Sequence, residues 1–170
     1  MKIIEAMKLT KDLMRKAEDL RKKVGLNCAH HDIDKPEYDN PDATIKGWIQ
    51  AHSDIVREIE KLRLAIQQTN LATSVTIEMG GKQITKSIAA WIHRRRDLAK
   101  YDAEMWGKLT DRGLEPGFRR SSVGDAEPIP VQVVRHFNPA ERDKMKEYYR
   151  AEPSLIDGTL EVVNATTELV

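Results

Sequence analysis

Residues 42–69 read DATIKGWIQAHSDIVREIEKLRLAIQQT and contain the longest periodic pattern in the chain. An alternation of three and four residues that lasts more than three heptads is typical of a helix packed lengthwise against another helix. We therefore predict one long helix over this stretch. The seam that it presents to its neighbour comprises Ile45, Trp48, His52, Ile55, Ile59, Leu62, Ile66 and Thr69.

A second seam of the same kind precedes it, in a helix expected from about Ile3 to Val24. Between the helices, residues 26–41 contain Asp, Asn and Pro residues that break the periodicity. Residues 1–70 are therefore predicted to form a long antiparallel helical hairpin or coiled coil. Each helix has more apolar surface than a two-helix pair covers, so a third helix or a second subunit is expected to pack there. The seam of the first helix comprises Ile3, Ala6, Thr10, Leu13, Ala17, Leu20 and Val24.

The period changes in residues 74–85, where apolar and polar residues alternate on both sides of Gly80-Gly81. This pattern predicts a β-hairpin with a two-residue turn. Such a hairpin is marginal in water by itself, so the strand expected further on is its natural partner. The last helix is expected to begin at Pro153. The remaining elements are predicted as a helix over 86–112, an irregular loop over 113–130, a strand over 131–137 and C-terminal helices over 138–170.

The expected fold is thus mainly α with a small antiparallel β-sheet, in a single domain of 170 residues. Lys+Arg number 28 and Asp+Glu 27, so the formal net charge is +1. This balance argues against a dedicated duplex-DNA-binding protein, which carries a large basic excess. The single cysteine, Cys28, excludes an intrachain disulfide and favours a reducing, cytoplasmic setting. No apolar run approaches the roughly 20 residues of a membrane span, so no membrane partner is expected.

The loop between the first two helices contains residues of metal-ligand types: Cys28, His30, His31 and Asp32, with His52 on the following helix. Their spacing matches no closed zinc site, so they are interpreted as a solvated loop and an interface histidine. The sequence also lacks a phosphate-binding loop, a dinucleotide fingerprint, a nucleophile elbow and a helix-borne zinc-protease motif. We therefore predict no metal, no cofactor and no catalytic residues.

The densest basic run is His93-Arg94-Arg95-Arg96 in the third helix. These residues fan through about 300° of a helix, so they cannot all face one site. Arg95 falls on the apolar stripe, and Asp102 lies two turns further on. The expected stripe comprises Ile88, Trp91, Ile92, Leu98, Ala99, Met105, Trp106 and Leu109.

Two interpretations of the basic run remain open. One is an ion-pair network in which a carboxylate such as that of Asp102 neutralises Arg95. The other is an anion pocket, since arginine forks suit phosphate and carboxylate groups. The loop that contains Arg119, Arg120, Ser121 and Ser122 could close over such a pocket. The ligand contacts predicted for it, including aromatic rings on which a nucleotide base could stack, are Arg94, Arg95, Arg96, Arg119, Arg120, Trp91, Trp106 and Phe118.

Four short stretches carry a family resemblance: IIEA at 3–6, IQQTNLAT at 66–73, SIAAWIHRRRDL at 87–98 and NATTEL at 164–169. By these stretches the chain resembles a small septicolysin-like family of uncharacterised bacterial and phage proteins. The resemblance implies helical hairpins with a small sheet that assemble into homo-oligomers such as hexamers. It implies no established activity.

These observations favour a non-enzymatic, homo-oligomeric helical binding protein of phage or bacterial origin. It would sequester an anionic small ligand such as a nucleotide. The alternative is a structural or adaptor protein of a phage or bacterial assembly, in which the charges serve assembly alone. An enzyme of unrecognised type is a third hypothesis. A ligand mass that co-purifies in a native mass spectrum would distinguish the first from the second.

Overall fold

The structure, a computed structural model, describes residues 1–120, 124 and 127–170. It is mainly helical, as the sequence predicts, with two small antiparallel sheets. In chain order the elements are α1 (Ile3–Asn27), α2 (Pro41–Ala72), β1 (Ser74–Met79), β2 (Lys82–Ser87), α3 (Ile88–His93), a π-helical segment (Arg94–Leu98), α4 (Ala99–Gly107), β3 (Gly117–Arg119), β4 (Ile129–Val131) and α5 (Pro139–Thr166).

The described residues form two compact units. The first comprises Met1–Val75, Ser87–Ala89 and Thr159–Val170, and the second comprises Thr76–Lys86 and Ala90–Gly158. No helix in the described part of the chain is long and apolar enough to cross a membrane.

In the first unit, α1 and α2 pack side by side in opposite directions. Arg21 lies 3.3 Å from His52, and Arg63 lies 3.5 Å from the sulfur of Met14. Later residues of α1 therefore meet earlier residues of α2, as the two seams predict. The buried members of the two helices all belong to the predicted seams, and they are Ile3, Ala6, Thr10, Ala17, Leu62 and Thr69.

The C-terminal tail is tied to this pair of helices by backbone hydrogen bonds. The Ile3 amide donates to the Thr167 carbonyl at 3.0 Å, and the Leu169 amide donates to the Met1 carbonyl at 2.9 Å. The Val170 amide donates to the Thr69 hydroxyl oxygen at 3.0 Å. These bonds satisfy backbone amides at the start of α1 and in the C-terminal tail, which have no partner within a helix.

The strands β1 and β2, most of whose residues belong to the second unit, form the predicted hairpin. Gly80 and Gly81 have φ values of +56° and +76°, which L-residues other than glycine rarely adopt. A side chain at Gly80 would also approach the ring of Tyr148 to 3.0 Å. The two-glycine turn predicted from the sequence therefore has a conformational reason at both positions and a steric reason at the first.

The strand predicted at 131–137 is wrong in its extent and in its partner. Only Ile129–Val131 forms a strand, and it pairs with β3 rather than with the hairpin at 74–85. The residues after it are held differently, since Arg135 donates two hydrogen bonds of 2.6 Å to the carboxylate of Asp111. A sheet closed over this short loop loses less chain entropy than one formed with a distant hairpin. The loop predicted over 113–130 accordingly contains β3 and most of β4.

The C-terminal segment is one helix where two were predicted. Asn138 caps α5, and its side chain accepts a hydrogen bond of 2.9 Å from the Ala140 amide. The helix then continues through Pro153 instead of restarting there. An interior proline removes one helical hydrogen bond and costs about 3 kcal/mol. The neighbouring residues Glu152, Ile156 and Leu160 are buried, and their packing offsets that cost.

Candidate functional site

The three arginines of the basic run lie in a π-helical segment between α3 and α4. The Ala99 amide donates to the Arg94 carbonyl, five residues back. A π turn accommodates one residue more than an α turn, so it changes which later residues face inward. Leu98 and Met105, which the α-helical pattern places on the apolar stripe, are exposed, whereas Ala99 is fully buried. The predicted stripe is therefore wrong at Leu98 and Met105.

Arg94 is the arginine that the π segment turns inward. It donates to both oxygens of Glu152, from Nε at 2.8 Å and from Nη2 at 2.6 Å, and its Nη1 donates to Asp102 at 2.6 Å. Glu152 is only 3% exposed, and the side chain of Arg94 is 20% exposed. The hydrogen bond to Glu152 holds the pKa of Arg94 above its usual range, against the opposing effect of burial. All three guanidinium nitrogens of Arg94 thus donate hydrogen bonds to carboxylates of the same chain.

The other two arginines of the run are also paired. Arg95 contacts Asp157 at 2.8 Å, so the predicted pair between Arg95 and Asp102 is wrong. Arg96 lies 3.3 Å from the carboxylate of Asp97. The ion-pair interpretation therefore describes the run, with partners that the α-helical spacing does not predict.

The remaining predicted ligand contacts lie in different settings. Trp91 is completely buried, with the ammonium group of Lys86 at 5.8 Å from its ring, so it offers no free face to a ligand. Trp106 is half-buried on α4. Phe118 and Arg119 are exposed on β3, and Arg120 is exposed directly after it. Ser121 and Ser122 lie outside the described residues.

An open groove of about 770 Å³ lies along α4 and α5 in the second unit. Its volume is within the usual range of small-molecule sites, about 300–1,000 Å³. None of the predicted ligand contacts is among the described residues that line it. This α4–α5 groove is lined by Lys100, Ala103, Glu104, Gly107, Lys108, Lys146, Tyr149, Arg150 and Pro153.

Helical spacing explains why these side chains meet. Lys100, Glu104 and Lys108 follow one another at four-residue intervals on α4 and its C-cap, and Lys146 and Arg150 do so on α5. Residues four apart share one face of a helix. A Cβ at Gly107 would lie 3.9 Å from the Cε of Lys146, which is an ordinary van der Waals contact. The lining from α4 thus combines the small residues Ala103 and Gly107 with long charged side chains.

The groove is strongly cationic, although the whole chain is nearly neutral. Lys100 is paired with Glu104 at 3.6 Å. Within the described residues, no ion pair involves Lys108, Lys146 or Arg150. These three cations line one groove. The pKa of the Asp143 carboxyl is lowered by the hydrogen bond from Arg142 and, to a smaller extent, by the charge of Lys146. An anion that entered the groove would face them without displacing a carboxylate.

Tyr149 provides a fixed aromatic wall beside these cations. Its ring meets the edge of the Tyr148 ring at 5.1 Å and an angle of 84°. The Arg94 guanidinium lies 5.7 Å from the ring centre of Tyr149. Burial, with a further contribution from the charge of Glu152, raises the pKa of Tyr148. The ion-pair network therefore holds the aromatic wall in place.

Sequence reasoning missed this groove for an identifiable reason. Lysines and glutamates at four-residue intervals are common on solvated helix faces, so Lys100, Glu104 and Lys108 carry no special signal. Gly107 among them marks the end of α4 and gives no signal of a groove. Bringing Lys108 near Lys146 needs the packing of α4 and α5, which no local pattern contains.

The loop between α1 and α2 lines a smaller open groove of about 490 Å³, to which Cys28 and His30 contribute. Cys28 is exposed. Among the described residues, no group of three or more His, Cys, Asp or Glu side chains is placed to hold a metal ion.

Comparison with known protein families, with curated proteins and with solved structures gives no match for this chain. The septicolysin-like resemblance rests on the short stretches quoted above and stays a prediction.

Proposed function

We propose that this chain is a non-enzymatic, homo-oligomeric binding protein that holds an anionic small ligand, such as a nucleotide, in the α4–α5 groove. The observation that carries the proposal is the cluster formed by Lys108, Lys146 and Arg150, which form no ion pair among the described residues. The arginine run, which first suggested an anion site, supports the groove instead of lining it.

The chemistry of the lining favours binding over turnover. The carboxylate that lines the groove belongs to Glu104, and it is paired with Lys100. The described lining contains no His, Cys, Ser or Thr, so it has neither an imidazole base nor a serine, threonine or cysteine nucleophile. Ammonium groups act as point charges toward phosphate, and Arg150 adds a planar fork. The ring of Tyr149 offers a surface on which a planar base can stack.

Thermal unfolding with a nucleotide panel tests this proposal. A nucleoside monophosphate present at a hundred times its Kd should stabilise the protein by about 2.7 kcal/mol. For a chain of this size that corresponds to a rise in Tm of roughly 5–10 °C. The matching nucleoside, which lacks the phosphate, should give a much smaller shift. The nucleotide-induced shift should also fall as salt is added, because Lys108 and Arg150 are exposed.

Matched variants locate the binding. Lys146→Gln and Arg150→Gln remove charges from the groove, and both should weaken nucleotide binding measured by titration calorimetry. Lys144→Gln makes the same change in charge on the same helix, at an exposed residue that does not line the groove. It should leave the affinity close to wild type. If no nucleotide raises Tm, or if Lys144→Gln weakens binding as much as Lys146→Gln, the proposal is wrong.

The alternative, a structural or adaptor protein of an assembly, is favoured by a different observation. Large apolar side chains are exposed on several elements, including Leu26 and Ile33 near the loop between the long helices and Phe118 on β3. Exposed apolar patches mark interaction sites. A protein that binds no nucleotide and co-purifies with a larger assembly would support this second function.

A further inference from the structure

The long helix α2 carries a second heptad stripe in addition to its seam against α1. At 100° per residue, its members lie within about 80° of the helix circumference. All of them are exposed, and the apolar ones are between 45% and 63% exposed. This outer stripe comprises Ile49, Ser53, Val56, Glu60, Leu64, Gln67 and Leu71.

The outer stripe is palindromic. Its intervals are 4, 3, 4, 4, 3 and 4 residues, which read the same in both directions. When the helix is reversed about Glu60, Ile49 falls on Leu71 and Val56 falls on Leu64. Ser53 falls on Gln67, and Glu60 falls on itself. A two-fold interface requires this property, because residue i then contacts residue j while j contacts i. The spacing therefore permits α2 to pair with a second copy of itself.

The charges around the centre complement one another across such an axis. Glu60 would face Glu60 of the second copy, and this repulsion needs a cation nearby. Arg57 and Arg63 lie three residues to either side, which is about 4.5 Å along the helix. Arg57 is already paired with Asp54 at 2.5 Å. Within the described residues, neither Glu60 nor Arg63 forms an ion pair, and Arg63 donates only to the sulfur of Met14.

We propose that α2 pairs with α2 of a second copy of this chain, antiparallel and two-fold, with the axis at Glu60. The pairing buries apolar residues of the outer stripe against apolar residues. It also sets Glu60 of each copy beside Arg63 of the other. The inference rests on the homo-oligomeric part of the proposed function and specifies the surface that forms the oligomer. It does not depend on ligand binding in the α4–α5 groove.

Disulfide trapping tests the axis directly. In a Cys28→Ser background, Glu60→Cys places two thiols at the axis, within reach of the roughly 4.4–6.8 Å between Cα atoms that a disulfide spans. Mild oxidation should then give a covalent dimer on a non-reducing gel. Lys61→Cys, which points about 100° away, is the control and should remain monomeric on the gel.

A mixture of two single-cysteine variants tests whether the two helices are antiparallel and in the proposed register. Ile49→Cys and Leu71→Cys should each fail to cross-link alone, because their partners in the second copy are not cysteines. The two variants mixed should cross-link to each other. Cross-linking of Ile49→Cys with itself would show a parallel arrangement and overturn the inference.

A charge swap tests the polar centre. Glu60→Arg and Arg63→Glu should each weaken dimerisation tenfold or more, since like charges then face one another. The double variant should restore it, as measured by sedimentation. A wild-type monomer at micromolar concentration would overturn both this inference and the oligomeric part of the proposed function. An oligomer in which Lys61→Cys cross-links as readily as Glu60→Cys would overturn the inference alone.

Discussion

Arg94→Met is expected to be the most destabilising single substitution in the arginine run. Arg94 is the sole hydrogen-bond donor described for the carboxylate of Glu152, which is 3% exposed. Removing the guanidinium leaves that charge buried without a partner. Breaking a buried ion pair in this way costs about 3–5 kcal/mol in the free energy of unfolding. Asp102, the other partner, is half-buried and can be solvated when it is released.

Matched variants separate this effect from a general loss of charge. Arg95→Met removes the same group from a pair whose side chains are 41% and 61% exposed, so it should cost at most about 1 kcal/mol. Glu152→Gln keeps an acceptor in place and should cost about 1–3 kcal/mol. The double variant Arg94→Met/Glu152→Leu removes both buried charges and should recover much of the stability that Arg94→Met loses.

Urea unfolding followed by far-ultraviolet circular dichroism gives these free energies. Because the chain contains two compact units, tryptophan fluorescence should be recorded as well, to check that the transitions coincide. Non-additivity of about 2 kcal/mol or more between the single and double variants would demonstrate the coupling of Arg94 and Glu152. The reasoning is refuted if Arg94→Met is no more destabilising than Arg95→Met, or if adding Glu152→Leu destabilises it further.

Three further predictions follow from the backbone and from the exposed charges. Deleting Leu98 from the π segment should be tolerated, because the shortened turn becomes α-helical and keeps the inward residues in phase. Deleting Tyr101 from α4 instead rotates all later residues of the helix by about 100°. Equal losses of Tm in the two deletions would contradict this. Gly80→Ala adds a contact with an aromatic ring to the strain of positive φ and should cost more than Gly81→Ala, which meets open space and carries about 1–2 kcal/mol of strain alone; urea unfolding that ranks them the other way would exclude the steric reason. The hydrogen bond from Arg135 lowers the pKa of the Asp111 carboxyl below 3.8. The stability that this pair contributes is therefore present above that pH and is lost as the pH falls through the lowered pKa. The stability of Asp111→Asn should consequently depend less steeply on acid pH than that of wild type.

The long helices were predictable because their burial follows a period that a sequence displays directly. Ile3, Ala6 and Leu62 belong to the predicted seams and are buried. The β1–β2 hairpin was predictable for a similar reason, since the alternating side chains and Gly80-Gly81 are local signals. In both cases, every residue that decides the structure lies within a short window of the chain.

The π segment was not predictable from the same rules. A pattern with α-helical period places Leu98 inward and Arg94 to the side, whereas the structure does the reverse. The deciding residue is Glu152, which lies far along the chain and pairs with Arg94. Likewise, α5 continues through Pro153 because of the burial around it, against the local rule. Where a tertiary contact outweighs a local preference, the period of the sequence gives the wrong phase.

Arginine and lysine have different tasks in the second unit, and the difference explains where a ligand can bind. The planar fork of Arg94 matches the two oxygens of Glu152, so this cation is neutralised by its own chain. A ligand that bound there would first have to break a buried pair, at a cost of several kcal/mol. Lys108 and Lys146 instead keep their hydration beside the groove, and an anion needs only to replace water. The densest basic run in the sequence is consequently the poorer candidate for an anion site, and the scattered lysines of α4 and α5 are the better one.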